Sequence, residues 1–109
     1  MAPIERDAGA HGAVEGSRDP SGTPVVELIG EIDISNAERL GATLDRLIDG
    51  ETTPLVVDLA KLEFMDSSGI AMLLKVAARV DSIELRNPSN IVRRIIECTG
   101  LTDVLHLGP

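Results

Sequence analysis

Three times in succession between residues 24 and 96, a short aliphatic run gives way to a longer stretch whose apolar residues fall at helical spacing. Residues 24–29 (PVVELI) precede Ala37, Leu40, Leu44, Leu47 and Ile48. Residues 55–59 (LVVDL) precede Ile70, Leu73, Leu74, Ala77 and Val80. Residues 82–86 (SIELR) precede Ile91, Val92, Ile95 and Ile96. Alternating strand and helix signals imply βαβ crossovers, because parallel neighbours cannot be joined by a tight turn. In 109 residues this makes one α/β domain with a mostly parallel sheet, packed with about three to four helices. Phe64 is the only aromatic residue, so the core has to be aliphatic.

The ends follow from composition. Residues 1–22 are rich in Gly, Ala, Ser, Pro and charge, which bury little. Residues 1–11 are expected as a flexible tail, leaving 12–109 as the domain. Residues 12–17 can form an edge strand, with Asp19-Pro20-Ser21-Gly22 turning it into the next as an antiparallel edge hairpin. Ser35 and Glu38 match a capping box for the first helix, which Gly50 would stop. The run at 55–59 is the kind found in a strand covered on both faces, with 61–65 as a connection. Ser89 caps a third helix whose inward face is Ile91, Val92, Ile95 and Ile96, and Gly100 ends it. Residues 101–107 form a short closing element with no assignable period.

Charge and cysteine content exclude several functions. A formal net charge of −8 opposes phosphate-backbone binding, which depends on Lys and Arg displacing counterions, and suits a basic protein partner better. No apolar run approaches the roughly 20 residues needed to span a bilayer, and the opening MAPIERDAGA is too polar for a signal peptide, so a cytoplasmic chain without membrane insertion is expected. Cys98 is the single cysteine and reads as a small residue on an apolar helical stretch. With His11 and His106 both near the termini, no metal site is expected.

The chemistry concentrates in residues 64–69 (FMDSSG), between a strand and a helix. Loops at the carboxyl ends of parallel strands gather on one sheet edge. Asp33, just past the preceding strand, should join Asp66, Ser67 and Ser68 there. A serine at a helix start is exposed and near free backbone N–H groups; equally, Asp66 or either serine can be a plain N-cap. A nucleophilic serine needs a base, and neither histidine lies near this edge, so catalysis is not expected. Glu31 and Glu63 can extend an acidic rim, while Arg93 and Arg94 read as a solvated helix face.

Three segments, in order, resemble the STAS domain family: Gly30-Glu31-Ile32-Asp33; residues 55–69 (LVVDLAKLEFMDSSG); and residues 91–105 (IVRRIIECTGLTDVL). The stretch between Gly69 and Pro88 is several residues shorter than is usual there. The resemblance implies a stand-alone anti-sigma factor antagonist: a partner-binding protein without cofactor or catalytic residues. It further implies that Ser67 is phosphorylated by the anti-sigma factor, itself a serine kinase, and restored by a serine phosphatase. The unphosphorylated form would bind the anti-sigma factor and free the sigma factor. Asp33, Asp66, Ser68, Gly69 and Glu31 would then form the partner surface around the switch. The same resemblance leaves open a STAS regulatory subunit of a membrane transporter and a scaffold component of a stress-signalling assembly.

Overall fold

A computed structural model describes residues 4–6, 12–48 and 54–108. Six strands form one sheet in sequence order: β1 (Ile4–Arg6), β2 (Gly12–Arg18), β3 (Pro24–Ile32), β4 (Leu55–Met65), β5 (Ile83–Arg86) and β6 (His106–Leu107). The β1/β2 and β2/β3 pairs are antiparallel and the other three are parallel. Three helices provide the crossovers: α1 (Ala37–Leu47), α2 (Ser67–Ala77) and α3 (Asn90–Cys98).

The expected hairpin is present as β2 and β3, but β2 is not the edge. Ile4–Arg6, within the segment expected as a tail, pairs along it; the rest of that segment, and the expected stop at Gly50, lie outside the described residues. β4 runs on through residues 61–65, where a connection was expected. The closing segment, left unassigned from sequence, adds β6 to the parallel side.

Strand alternation sorts side chains to two faces. Val26, Val57 and Leu85 are paired across β3, β4 and β5 and are at most 2% exposed. One residue further along, Glu27, Asp58 and Arg86 are paired on the other face, with Glu15 of β2 opposite Glu27. There Lys61 reaches Glu27 at 3.5 Å. β4 is therefore not apolar on both sides, as its sequence had suggested: Asp58 faces the polar side.

All three helices contribute to one core. Leu40 and Leu44 of α1, Leu73 and Val76 of α2, and Val92 and Ile96 of α3 are buried in the same cluster as Val57 and Leu105. α1 packs beside α2, and α3 packs against β4. Ser89 caps α3 as expected, accepting from Val92 N at 3.1 Å, and Gly100 follows it at φ +72°. The inward face of α3 is narrower than its sequence suggested. Ile91 is exposed and Ile95 only half-buried.

Candidate functional site

β3 and β4 end side by side, with Ile32 opposite Met65, so Asp33 and Asp66 are the first residues past two adjacent parallel strands. Asp66 N donates to Ile32 O at 3.1 Å, tying the second exit to the first.

Asp66 is the N-cap of α2. Its carboxylate accepts from Ser68 N at 2.8 Å, and its carbonyl accepts from Gly69 N at 3.0 Å and Ile70 N at 3.3 Å. The cap reading of this residue therefore holds, and the anion-favouring start of the helix is occupied by the protein's own carboxylate. Ser67 is the first helical residue, is exposed, and makes no side-chain hydrogen bond among the described residues. Ser68 is half-buried and turned to the α1 side.

Gly69 is buried and is no contact surface, contrary to the expectation from sequence. A Cβ built there would lie 2.8 Å from Met65 Cβ and 3.3 Å from Ile32 Cγ2. Its lack of a side chain lets the first turn of α2 sit directly on the ends of both strands, which holds Ser67 up at the rim.

The Asp33 turn is built by a residue the sequence reading passed over. Asn36 is fully buried; its Oδ1 accepts from Asp33 N and its Nδ2 donates to Glu31 O, both at 2.9 Å. The Asp33 carbonyl accepts from Asn36 N and Ala37 N, and its carboxylate accepts from Ser35 N and Ser35 Oγ. The expected capping box is thus absent. Asn36, not Ser35, is the N-cap of α1, and it makes no side-chain cap bond because its amide is spent on the turn. An Asn three residues after the Asp that follows a strand was the available signal.

This turn lifts Ile34 out to 85% exposure. Ile34 stands at one end of an open groove of about 540 Å³ between α1 and α2, whose walls include Glu38, Asp45, Ser68, Met72 and Lys75. Gly41 lets the helices close beneath it: a Cβ there would meet Met72 Cγ at 3.2 Å. Ile34 was missed in the sequence because it falls off the apolar stripe of α1. Glu31 and Glu63 are exposed, so Glu31, Asp33, Glu38, Glu63 and Asp66 give this edge acidic character. No group of His, Cys, Asp or Glu among the described residues could hold a metal ion.

Comparison with known proteins agrees with this architecture. A family model described as "Mlab, STAS domain" matches residues 16–107. An anti-sigma F factor antagonist of Lysinibacillus sphaericus is 32% identical over 84 residues, covering 72% of each chain. The crystal structure of an anti-sigma factor antagonist from Mycobacterium paratuberculosis superposes with a TM-score of 0.77 at 27% identity, covering 88% of this chain and 86% of that one. The antagonist SpoIIAA in its unphosphorylated form gives 0.70 at 26% identity over 88% of both chains, and the Bacillus SpoIIAA in phosphorylated form gives 0.64 at 26% over 88% and 91%.

Proposed function

Because this chain belongs to the STAS domain family, and within it resembles the anti-sigma factor antagonists, we propose that it binds an anti-sigma factor in its unphosphorylated form and is switched off by phosphorylation of Ser67. Antagonism is a binding role, and the relatives that carry the name are regulators rather than enzymes. No helix among the described residues is long and apolar enough to cross a membrane; the proposed site of action is the cytoplasm.

The carrying observation is the placement of Ser67: exposed, with no side-chain hydrogen bond among the described residues, and next to a carboxylate that already fills the helix N-terminal anion position. A phosphate there adds about −1.5 to −2 charges. It cannot take over the backbone N–H that Asp66 occupies without displacing that carboxylate. Two unit charges some 6 Å apart repel by roughly 1 to 3 kcal/mol at surface-like dielectrics, and each 1.4 kcal/mol is about tenfold in affinity. The added charge would fall on a partner surface made by Ile34, the α1–α2 groove and the acidic rim, and no refolding is needed to expel the partner. The kinase in this reading is the anti-sigma factor itself, with a phosphatase resetting Ser67. Solved forms of SpoIIAA with and without phosphate support phosphorylation as the variable.

The test is intact-mass spectrometry with site mapping after incubation with ATP and candidate anti-sigma kinases. One phosphate on Ser67 is expected. No phosphorylation by any candidate overturns the switch and turns attention to the transporter-subunit reading.

A further inference from the structure

Ile34 is 85% exposed, against 61% for Ile91, the next of the large apolar side chains that face water. Its turn does not need it. Ile34 lies in the tight bend between Asp33 and Asn36, where short polar residues or glycine serve the backbone better. Asn36 also keeps that bend from relaxing, because its buried amide holds Asp33 N and Glu31 O, both at 2.9 Å. An aliphatic side chain on a turn fixed in this way gives up little conformational freedom when a partner covers it. Nor does it stand alone: the α1–α2 groove that begins at Ile34 continues through Ala37, Gly41, Ala71 and Met72.

Charge around Ile34 has one sign. Glu38 shares the groove wall with it, and Asp33 and Asp66 are the first residues past the two strands beside it. Lys75, the cation in the groove walls, is two helical turns down α2 from Ser68, and at the far end Asp45 is paired with Arg79 at 3.3 Å. The chain's net charge of −8 has the sign of this rim, so the local and the long-range field select the same occupant. A second copy would set one acidic rim on another, and an anionic bilayer would meet the same repulsion. We infer that Ile34 is the apolar anchor of the anti-sigma factor contact, entering an apolar pocket of the partner whose edge carries Lys or Arg facing Glu38 and Asp33. This rests on the function proposed above and adds a division of labour to it: Ile34 holds the complex together, and the acidic rim speeds its formation. Apolar contact is short-ranged. A phosphate on Ser67, whose neighbour Ser68 lines the same groove, therefore needs only to hold the two surfaces apart for the anchor to be lost, even with a basic partner.

Surface plasmon resonance, with each candidate anti-sigma kinase of the Ser67 mass assay immobilised and the full chain in solution, reads both rates. Ile34→Ala removes three carbons and should raise the dissociation rate about 50-fold, and Ile34→Val, which removes one, about fourfold, with association rates within about twofold of wild type. Glu38→Gln should slow association at low salt and leave dissociation within about twofold of wild type. At so exposed a position the Ile34 variants should keep the wild-type melting curve. If the wild-type chain binds and Ile34→Ala dissociates within about twofold of its rate, this inference alone is overturned; a loss that falls on the association rate overturns it as well. Binding of the wild-type chain to none of the kinases overturns the proposed function and this inference together. A wild-type dimer in sedimentation that Ile34→Ala converts to monomer overturns the inference in favour of a second copy.

Discussion

Asn36 and Asp33 fasten each other: the buried Asn36 amide accepts from the Asp33 backbone N–H at 2.9 Å, while the Asp33 carbonyl accepts from the backbone N–H groups of Asn36 and Ala37 that open α1. The amide also donates to Glu31 O at 2.9 Å, so a single side chain holds both ends of the turn. The position of the Asp33 carboxylate at the rim therefore depends on a residue that no partner can touch.

Replacing Asn36 by Ala removes the partner of the Asp33 N–H and the Glu31 carbonyl in a part-buried turn, which should cost roughly 1 to 3 kcal/mol. Asn36→Asp should cost more, because it faces a carboxylate against the Glu31 carbonyl. Urea denaturation measures both. Equal stability of wild type and Asn36→Ala would show that water replaces the amide.

Gly69→Ala separates packing from helix propensity. Ala is the better helix former by about 1 kcal/mol, yet its Cβ would lie 2.8 Å from Met65 Cβ. Overpacking typically costs about 1 to 3 kcal/mol. The melting temperature should fall by several degrees; a rise would mean that the contact relaxes freely.

At Asp66 the cap and the charge can be told apart. Asp66→Ala should lose about 1 kcal/mol through the lost bond to Ser68 N, whereas Asp66→Asn keeps an accepting oxygen and should stay within about 0.5 kcal/mol of wild type. If the carboxylate contacts the partner, both variants lose binding in calorimetry. If it only caps, Asp66→Asn binds normally.

Ser67→Asp should weaken anti-sigma factor binding about tenfold or more while leaving the circular dichroism spectrum unchanged, because the position is exposed. Ser67→Ala should retain binding and accept no phosphate. Full binding by Ser67→Asp would sink the electrostatic account of the switch.

The β2–β3 turn provides a pH marker away from the site. The Ser21 hydroxyl, with the backbone N–H groups of Thr23 and Ser21, holds the Asp19 carboxyl below its ordinary 3.8. A depressed folded-state pKa gives a contribution to stability that is fully present above 3.8 and is lost as pH falls through the folded value. A carbon-detected carboxylate titration should place the Asp19 midpoint below 3.8. Ser21→Ala should bring it back toward that value.

Local pattern alone determined the run of strands and helices from β2 to α3, the mostly parallel sheet, the caps at Ser89 and Gly100, and the gathering of Asp33, Asp66, Ser67 and Ser68 near one edge, but not β1 or β6. Each of these follows from spacing along the chain, which is visible in the residues themselves. What the sequence could not decide depends on where side chains go once elements meet. Asp58 reads as part of a buried run until its pairing with Glu27 and Arg86 puts it on the polar face. Gly69 reads as part of a contact loop until the strand ends beneath it leave no room for a Cβ. Ile91 reads as core and Asn36 carries no signal of burial, yet the fold exposes the first and buries the second, because burial is set by the neighbour across the interface and not by the residue's own polarity.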